Sequence, residues 1–458
     1  MNKSTNKARD SIIYLPAISR THSTDSIDAM ANRLAGAFDR NAQSGDTEFY
    51  VKKEAREEFR EFNTSLLTIM QKGDQDIPVA DLYELDYRDL LISSAKERPP
   101  ALHLLSILWS CLGMIPRLLS AIRRTGKTSL EKWQVFYAWL MALVVSLYFF
   151  ILAGAFYSIA SEASALQNLS AGTEISQAVE ENNVAAGSNP DVSEQDGTFF
   201  TGTLGKVVEN VSMYLEVIWQ KVLPWIPSTT SVVVILAGFG FLSKKDFKKL
   251  ISDLGIELAA AENYLSVDKK RGKIRGQFAS LLEHISEKGS YDKIHIVSYS
   301  FGSVIAIDAL FPNDNPLVPR FRLINTLTTI GTPYDFINTY WPKYFKNRMQ
   351  YEGVPKNWVN IYMKSDVFGS NFTDAESGEA RGIEFHPDYT YTDQVQKTPD
   401  INRISGPNRS LKEYGWFNRV KLIGFKTHSR YWEDNTGFDV NSIDIVVQEL
   451  YKSNLTPA

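Results

Sequence analysis

One short stretch places a serine where it could act as a nucleophile. Residues 292–310, DKIHIVSYSFGSVIAIDAL, predict a strand, a tight turn and a helix, with Ser300 at the turn. A serine hydroxyl is a weak nucleophile unless a base takes its proton and hydrogen-bond donors stabilise the oxyanion. A strand-to-helix turn lifts the hydroxyl off the sheet, and it needs small residues such as Ser298 and Gly302 on either side. The pattern indicates a nucleophilic serine; the alternative is an ordinary tight turn.

The pentapeptide SYSFG, residues 298–302, resembles the Gly-x-Ser-x-Gly turn of the α/β-hydrolase family, in its lipase and esterase branch, with serine in place of the first glycine. The stretch TIGTPYDF, residues 329–336, resembles the Gly-Thr-Pro segment that follows the next strand in lipase-like members. The resemblance covers the two soluble parts of the chain. It implies an α/β-hydrolase-like fold and ester hydrolysis through an acyl-enzyme.

The resemblance also implies an acid and a base, because the family runs nucleophile, acid, base along the chain. Asp366 follows the predicted strand IYMKSD, and His428 follows the last predicted strand within GFKTHSRYW. His428 would accept the proton of Ser300, and Asp366 would orient the imidazole. Asp374 or Glu384 remains open as the acid, and a surface position remains open for His428.

The oxyanion donors are predicted from the same resemblance. One is the backbone N–H of Phe301, and the second comes from the loop after the first strand, at Ile18 and Ser19. The family has His-Gly in that loop, whereas this chain reads LPAISRTHS, so the sequence leaves open whether the second donor is intact. His22 is a further loop candidate.

The elements around these residues predict an α/β fold with a mostly parallel sheet and flanking helices, interrupted by a two-helix transmembrane insertion. A helix is predicted after residue 22, with Ser23 or Asp25 as its N-cap, and another ending at Gly289. Residues 370–419, which are polar, read as a long insertion near the site. Strands are predicted at 11–18, 80–91, 293–300, 321–333, 357–366 and 419–429.

Two uncharged stretches predict membrane spans. A spanning helix needs roughly 20 apolar residues, and the segments 133–160 and 222–243 are long enough and carry no charged residue. The alternative is two buried core helices. Residues 101–116 are apolar but short, and they predict an interfacial helix. If that helix crossed the membrane, the two soluble parts would lie on opposite sides.

Flanking charges predict the orientation of this hairpin. Lys and Arg cluster before the first span and after the second, while residues 161–200 contain neither. The positive-inside rule then places both ends in the cytoplasm and the loop 161–221 outside. The predicted domains are therefore 1–98 and 246–458 as the two halves of one hydrolase domain, and 99–245 as the membrane insertion.

Composition and charge exclude several kinds of partner and site. The net charge of −4 gives no basic field for nucleic acid, and Cys111 is the only cysteine, so disulfides within the chain are excluded. The N-terminal apolar run is too short for a signal peptide. No cofactor or metal site is predicted, and the oligomeric state is unknown from sequence.

The expected function is that of a membrane-anchored serine hydrolase acting on acyl esters, with lipids as the favoured substrate and the bilayer as partner. Lipase, phospholipase and esterase activities fit the same three residues equally well. The alternatives are a catalytically silent hydrolase fold that serves as a membrane scaffold or signalling protein, and an effector that acts on its own membrane.

Overall fold

The fold is known from a computed structural model. The described residues all belong to one compact unit, built from residues 1–142 and 253–458. They are residues 9–18, 26–42, 47–53, 57–59, 62–96, 260–266, 268–288, 291–313, 323–349, 354–373, 381–386, 396–397, 399, 401–404, 427–432 and 441–455.

Twelve strands and six helices have defined bounds among these residues. The strands are β1 (Arg9–Leu15), β2 (Phe49–Lys53), β3 (Glu57–Phe59), β4 (Phe62–Thr64), β5 (Leu66–Gln71), β6 (Ile77–Glu84), β7 (Tyr291–Tyr299), β8 (Ile324–Ile330), β9 (Asn357–Tyr362), β10 (Ile383–Glu384), β11 (Gln396–Lys397) and β12 (Ile401–Ile404). The helices are α1 (Ile27–Asn41), α2 (Arg88–Lys96), α3 (Asp268–Glu287), α4 (Phe301–Leu310), α5 (Tyr334–Tyr340) and α6 (Ser442–Leu455).

Eight strands form one mostly parallel sheet in the order β12-β9-β8-β7-β1-β6-β5-β2. The pairs from β12 to β6 are parallel, while β5 and β2 extend the β6 edge in antiparallel fashion. Strand β1 lies between β6 and β7, with Tyr14 opposite Glu84 on one side and Val297 on the other. Two strands from the first hundred residues, β1 and β6, and one from the second half of the chain, β7, therefore form the centre of one sheet.

Apolar residues on both faces explain why this sheet lies between two helical layers. Ile12, Ile13 and Leu15 are fully buried in β1, as expected for a parallel strand covered on both sides. Side chains on one face pack with α3 and α4, and those on the other pack with α1 and α6. The predicted α/β class, with a mostly parallel sheet and flanking helices, is confirmed at this level.

Several element boundaries differ from the sequence predictions. Helix α1 is capped by Ser26, whose Oγ accepts a hydrogen bond from the Ala29 N–H at 3.2 Å, rather than by Ser23 or Asp25. The strand predicted at 80–91 ends at Glu84, and α2 follows. Of the strand predicted at 419–429, the described residues 427–429 are not extended. Residues 427 and 428 are helical, and a turn follows in which the Arg430 N–H donates to the Thr427 carbonyl at 3.0 Å.

The polar segment 370–419 is more than an insertion, because β12 lies inside it and pairs with β9 in the main sheet. The membrane insertion predicted at 99–245, with its spans at 133–160 and 222–243, lies outside the described residues. Among the helices that the structure does describe, none combines the length and the apolar character that crossing a membrane requires.

Candidate active site

The turn between β7 and α4 holds Ser300 in an uncommon backbone conformation. Its φ is 53° and its ψ is −125°, in a region that non-glycine residues seldom occupy. Its N–H donates to the Ile330 carbonyl at 2.8 Å, and its carbonyl accepts from the Ser303 N–H at 3.0 Å, where α4 begins. The strained turn is thus held by the neighbouring strand and by the first turn of the helix.

The small residues beside Ser300 are explained by the crossing of two backbone segments. A Cβ atom on Gly302 would lie 2.5 Å from the carbonyl oxygens of Leu15 and Pro16, so only glycine fits where α4 passes the end of β1. Ser298 is fully buried, and its hydroxyl donates to the Thr328 carbonyl at 2.9 Å. The close packing of β1, β7 and β8 therefore fixes where Ser300 stands.

Three predicted residues come together at the carboxyl edge of the sheet. The Ser300 Oγ lies 2.7 Å from the His428 Nε2, and the His428 Nδ1 lies 2.8 Å from the Asp366 Oδ2. The Asp366 carboxylate can only accept a hydrogen bond, so a neutral His428 must carry its hydrogen on Nδ1. The Nε2 lone pair then faces the Ser300 hydroxyl. This is the proton path that a nucleophilic serine requires.

No protein-family model, curated protein or solved structure matches this chain. The chemistry open to the site is therefore inferred from its own residues. Within the part of the chain that the structure describes, no group of three or more His, Cys, Asp or Glu side chains is arranged to hold a metal ion.

Asp366 is fixed from several directions after the end of β9. Its side chain has no exposed surface, and its Oδ1 accepts the Phe368 N–H at 2.9 Å. Its own N–H donates to the Met363 carbonyl at 3.1 Å, which closes the loop that follows the strand. A carboxylate with hydrogen bonds to both oxygens is held in one orientation towards His428.

Aromatic rings surround the His428 imidazole, whose side chain is 16% exposed. Tyr299 stacks on it at 5.6 Å with an interplanar angle of 21°, and the Tyr299 hydroxyl donates to the His428 backbone carbonyl. Phe368 meets the imidazole edge-on at 5.3 Å. These contacts restrict the ring to the orientation in which it joins Ser300 to Asp366.

The sequence interpretation assigned no role to Tyr431, which lies three residues after His428. The buried Tyr431 hydroxyl lies 2.8 Å from the Asp366 Oδ2, the oxygen that His428 also contacts. Burial and the Asp366 charge raise the pKa of Tyr431 well above its usual range. The sequence carried no signal for this contact, since 65 residues separate Tyr431 from Asp366.

The remaining predicted residues have different outcomes. Phe301 is the first residue of α4, and Ile18 is buried in the loop after β1. Their roles as oxyanion donors stay predictions. Ser19, His22 and Asp374 lie outside the described residues. Glu384 has a side chain that is 47% exposed and lies 3.1 Å from the Lys346 ammonium. The described geometry therefore favours Asp366 over Glu384 as the partner of His428.

An aromatic strip leads away from His428 along α5. Phe368 packs against Phe336 at 5.5 Å, and Phe336 packs against Tyr340 at 4.6 Å. Phe336 and Phe368 are both partly exposed. The strip offers an apolar surface immediately beside the imidazole.

Proposed function

We propose that the protein is a membrane-anchored serine hydrolase that cleaves acyl esters, with lipids as its substrate class. The observation that carries the proposal is the continuous path from the Ser300 Oγ through His428 to Asp366, at 2.7 and 2.8 Å. The finer assignment of the fold as α/β-hydrolase-like belongs to the same proposal. It is supported by the strand-turn-helix that carries Ser300 and by the order of the three residues.

The proposed reaction proceeds through an acyl-enzyme. Ser300 attacks the ester carbonyl while the His428 Nε2 takes the hydroxyl proton, and Asp366 stabilises the imidazolium that forms. The N–H of Phe301 and a donor at Ile18 or Ser19 stabilise the oxyanion. The ester C–O bond then breaks, and His428 returns the proton to the leaving alcohol. Water, deprotonated by His428, releases the acid and restores Ser300.

A lipid substrate is favoured by the surroundings of the site. Phe336 and Phe368, the partly exposed members of the aromatic strip, are suited to contact an acyl chain through apolar surface, and the buried Tyr340 packs against Phe336. The uncharged segments at 133–160 and 222–243 would anchor the catalytic unit on the cytoplasmic side of a bilayer. An enzyme anchored in this way meets its substrate in the membrane plane.

The proposal is tested with a fluorophosphonate probe on the detergent-solubilised protein. Wild type is expected to be labelled, and Ser300→Ala to abolish the labelling. Ser303→Ala is the matched control. The Ser303 hydroxyl lies in the first turn of α4 and donates to the buried carbonyl of Ser298 in β7 at 3.1 Å, so its loss should leave labelling intact. An unlabelled, folded wild type would favour the scaffold alternative.

Substrate class is tested with the same variants. Long-chain acyl esters and phospholipids in mixed micelles should be hydrolysed faster than short-chain esters, because only a long chain reaches along the aromatic strip. If a labelled enzyme hydrolysed short-chain and long-chain esters at equal rates, the proposal of a serine hydrolase would stand and the proposal of a lipid substrate would be contradicted.

A further inference from the structure

We infer that the Tyr431 hydroxyl is a positioning group that holds the Asp366 side chain as the acceptor for His428. The inference rests on the proposed function for its catalytic meaning, although the contact can be tested without activity. The hydroxyl contacts the Asp366 carboxylate and the Met363 N–H, so it acts through the His428–Asp366 pair.

The direction of the Tyr431 hydrogen bond follows from its second partner. The Met363 N–H can only donate, and it lies 3.0 Å from the Tyr431 oxygen, which must accept it. The phenol proton is then left for the Asp366 Oδ2 at 2.8 Å. One carboxylate oxygen thus receives two donors, the Tyr431 O–H and the His428 Nδ1–H.

Two glycines leave the space that the Tyr431 ring and hydroxyl occupy. A Cβ atom on Gly369 would lie 2.7 Å from the Tyr431 hydroxyl and 2.5 Å from the Asp366 Oδ2. A Cβ atom on Gly331, whose φ is +59°, would lie 2.8 Å from the Tyr431 ring and 3.3 Å from the His428 Cε1. Both loops lack side chains where the hydroxyl, the carboxylate and the imidazole meet.

The hydroxyl should weaken the hold of Asp366 on a protonated His428. A hydrogen bond donated to the Asp366 Oδ2 takes up part of its negative charge, which leaves less of that charge to stabilise an imidazolium, so Tyr431 favours the neutral imidazole. That is the form that can accept the Ser300 proton. Burial and the Asp366 charge raise the pKa of Tyr431, so the phenol stays a donor throughout the neutral range.

The other titratable groups around the pair provide the control. Tyr299 and Tyr431 are two titratable side chains that contact His428, and only the contact of Tyr431 extends to the Asp366 carboxylate. The Tyr299 hydroxyl donates to the His428 backbone carbonyl and not to the carboxylate. Tyr299→Phe therefore removes a phenol of similar burial from the same histidine without removing a donor to Asp366.

The experiment follows the protonation of His428 by NMR in full-length protein labelled at the histidine Cε1 carbons. The chain has six histidines, and the His428 signal is assigned by its loss in His428→Gln. In Tyr431→Phe the titration midpoint of His428 should rise, by up to about one pH unit, because the Asp366 charge is then no longer shared with a phenol donor. In Tyr299→Phe the midpoint should stay in place.

A second variant guards against a folding defect in Tyr431→Phe, which also leaves the Met363 N–H without its acceptor. Tyr431→3-fluorotyrosine keeps both hydrogen bonds but makes the phenol a stronger donor. Its His428 midpoint should move to lower pH, opposite to the shift in Tyr431→Phe. Midpoints that do not move in either variant, or that move equally in Tyr299→Phe, would overturn the inference.

Fluorophosphonate labelling rates measured against pH separate this inference from the proposed function. The acidic limb of the Ser300 labelling profile should move with the His428 midpoint in each Tyr431 variant. A wild type that is not labelled, but whose His428 midpoint shifts as expected, would support the positioning role and contradict the hydrolase. A labelled wild type with unmoved midpoints would contradict only the role of Tyr431.

Discussion

Gly302 links the position of Ser300 to the central strand of the sheet, because it lets α4 pass close to the end of β1. A Cβ atom there would lie 2.5 Å from the carbonyl oxygens of Leu15 and Pro16, which are backbone atoms and cannot rotate away. Gly302→Ala should therefore push α4 from the end of β1, lower the free energy of unfolding by about 1–3 kcal/mol and strongly reduce labelling at Ser300.

Gly272→Ala is the control for this prediction. Gly272 lies in the interior of α3, and a Cβ atom there meets nothing within 4 Å. The substitution should raise the free energy of unfolding by about 0.5–1 kcal/mol and leave labelling unchanged, because alanine loses less conformational freedom than glycine in a helix. Denaturant unfolding and probe labelling measure both variants. A Gly302→Ala protein as stable and as reactive as wild type would contradict the close crossing.

The sequence predicts which three polar side chains meet, but not what surrounds them. Ser300 and Asp366 follow β7 and β9, and the structure brings both within hydrogen-bond distance of His428, which lies in a helical turn and does not directly follow a described strand. Tyr299 and Tyr431 could not be assigned in this way, because a tyrosine in an apolar stretch is ordinary core. Their contacts depend on where loops distant in sequence cross.

At the scale of elements, α4 is anchored on the side away from the site by a buried ion pair. Asp308 of α4 lies 2.6 Å from the Arg348 guanidinium, and the two side chains are 1% and 2% exposed. The Tyr344 hydroxyl donates to the other Asp308 oxygen, and Arg348 also donates to the Phe311 carbonyl at 3.0 Å. Burial opposes the charge of Arg348, but the Asp308 charge prevails and raises its pKa.

Arg348→Met should strongly destabilise the protein, because it leaves the Asp308 carboxylate buried without its counter-charge. Removing one partner of such a pair lowers the free energy of unfolding by about 3–5 kcal/mol, whereas replacing both by apolar residues can be neutral. We therefore expect the double variant Asp308→Leu, Arg348→Met to recover much of the loss. Urea unfolding of wild type, both single variants and the double variant measures this coupling.

The control for this cycle is the exposed pair of Lys346 and Glu384, only two residues from Arg348 in sequence. Its side chains are 46% and 47% exposed, and Lys346→Met should change stability by less than about 1 kcal/mol. If Lys346→Met and Arg348→Met had equal effects, burial of the Asp308 pair would not be the source of its importance.

The sequence predicts an element when its residue types form an apolar or periodic pattern. It does not predict an element that forms only through backbone hydrogen bonds to a neighbouring strand. Strands β7 and β8 are apolar runs between turns and were predicted close to their observed bounds. Strand β12 has only four residues in a polar segment, and it joins the sheet through backbone pairing with β9. Edge pairing of that kind leaves little trace in residue type.

At the scale of the whole molecule, the sheet constrains what can lie between its two halves. Strand β1 hydrogen-bonds to β6 on one side and to β7 on the other, so residues before position 97 and after position 259 share one sheet. Strands in one sheet lie on one side of a membrane. Any crossings between these positions must therefore be even in number, which agrees with a two-span hairpin and not with a third span at 101–116.

This constraint gives a topology prediction that single cysteines can test. In a Cys111→Ser background, which removes the only natural cysteine, Ser188→Cys lies in the predicted outer loop and Gln75→Cys lies on the exposed turn before β6. A membrane-impermeant maleimide applied to intact cells should label the Ser188→Cys protein. It should label the Gln75→Cys protein only after permeabilisation.

Each other outcome contradicts a particular part of the membrane prediction. Labelling of Gln75→Cys but not Ser188→Cys in intact cells would invert the orientation and contradict the charge bias on which it rests. Labelling of neither before permeabilisation, together with release of the protein by carbonate washing, would mean that the two uncharged segments are core helices. Because the sheet ties both ends of the chain to one side, a label at Ser188→Cys alone would place the Ser300 site on the cytoplasmic face.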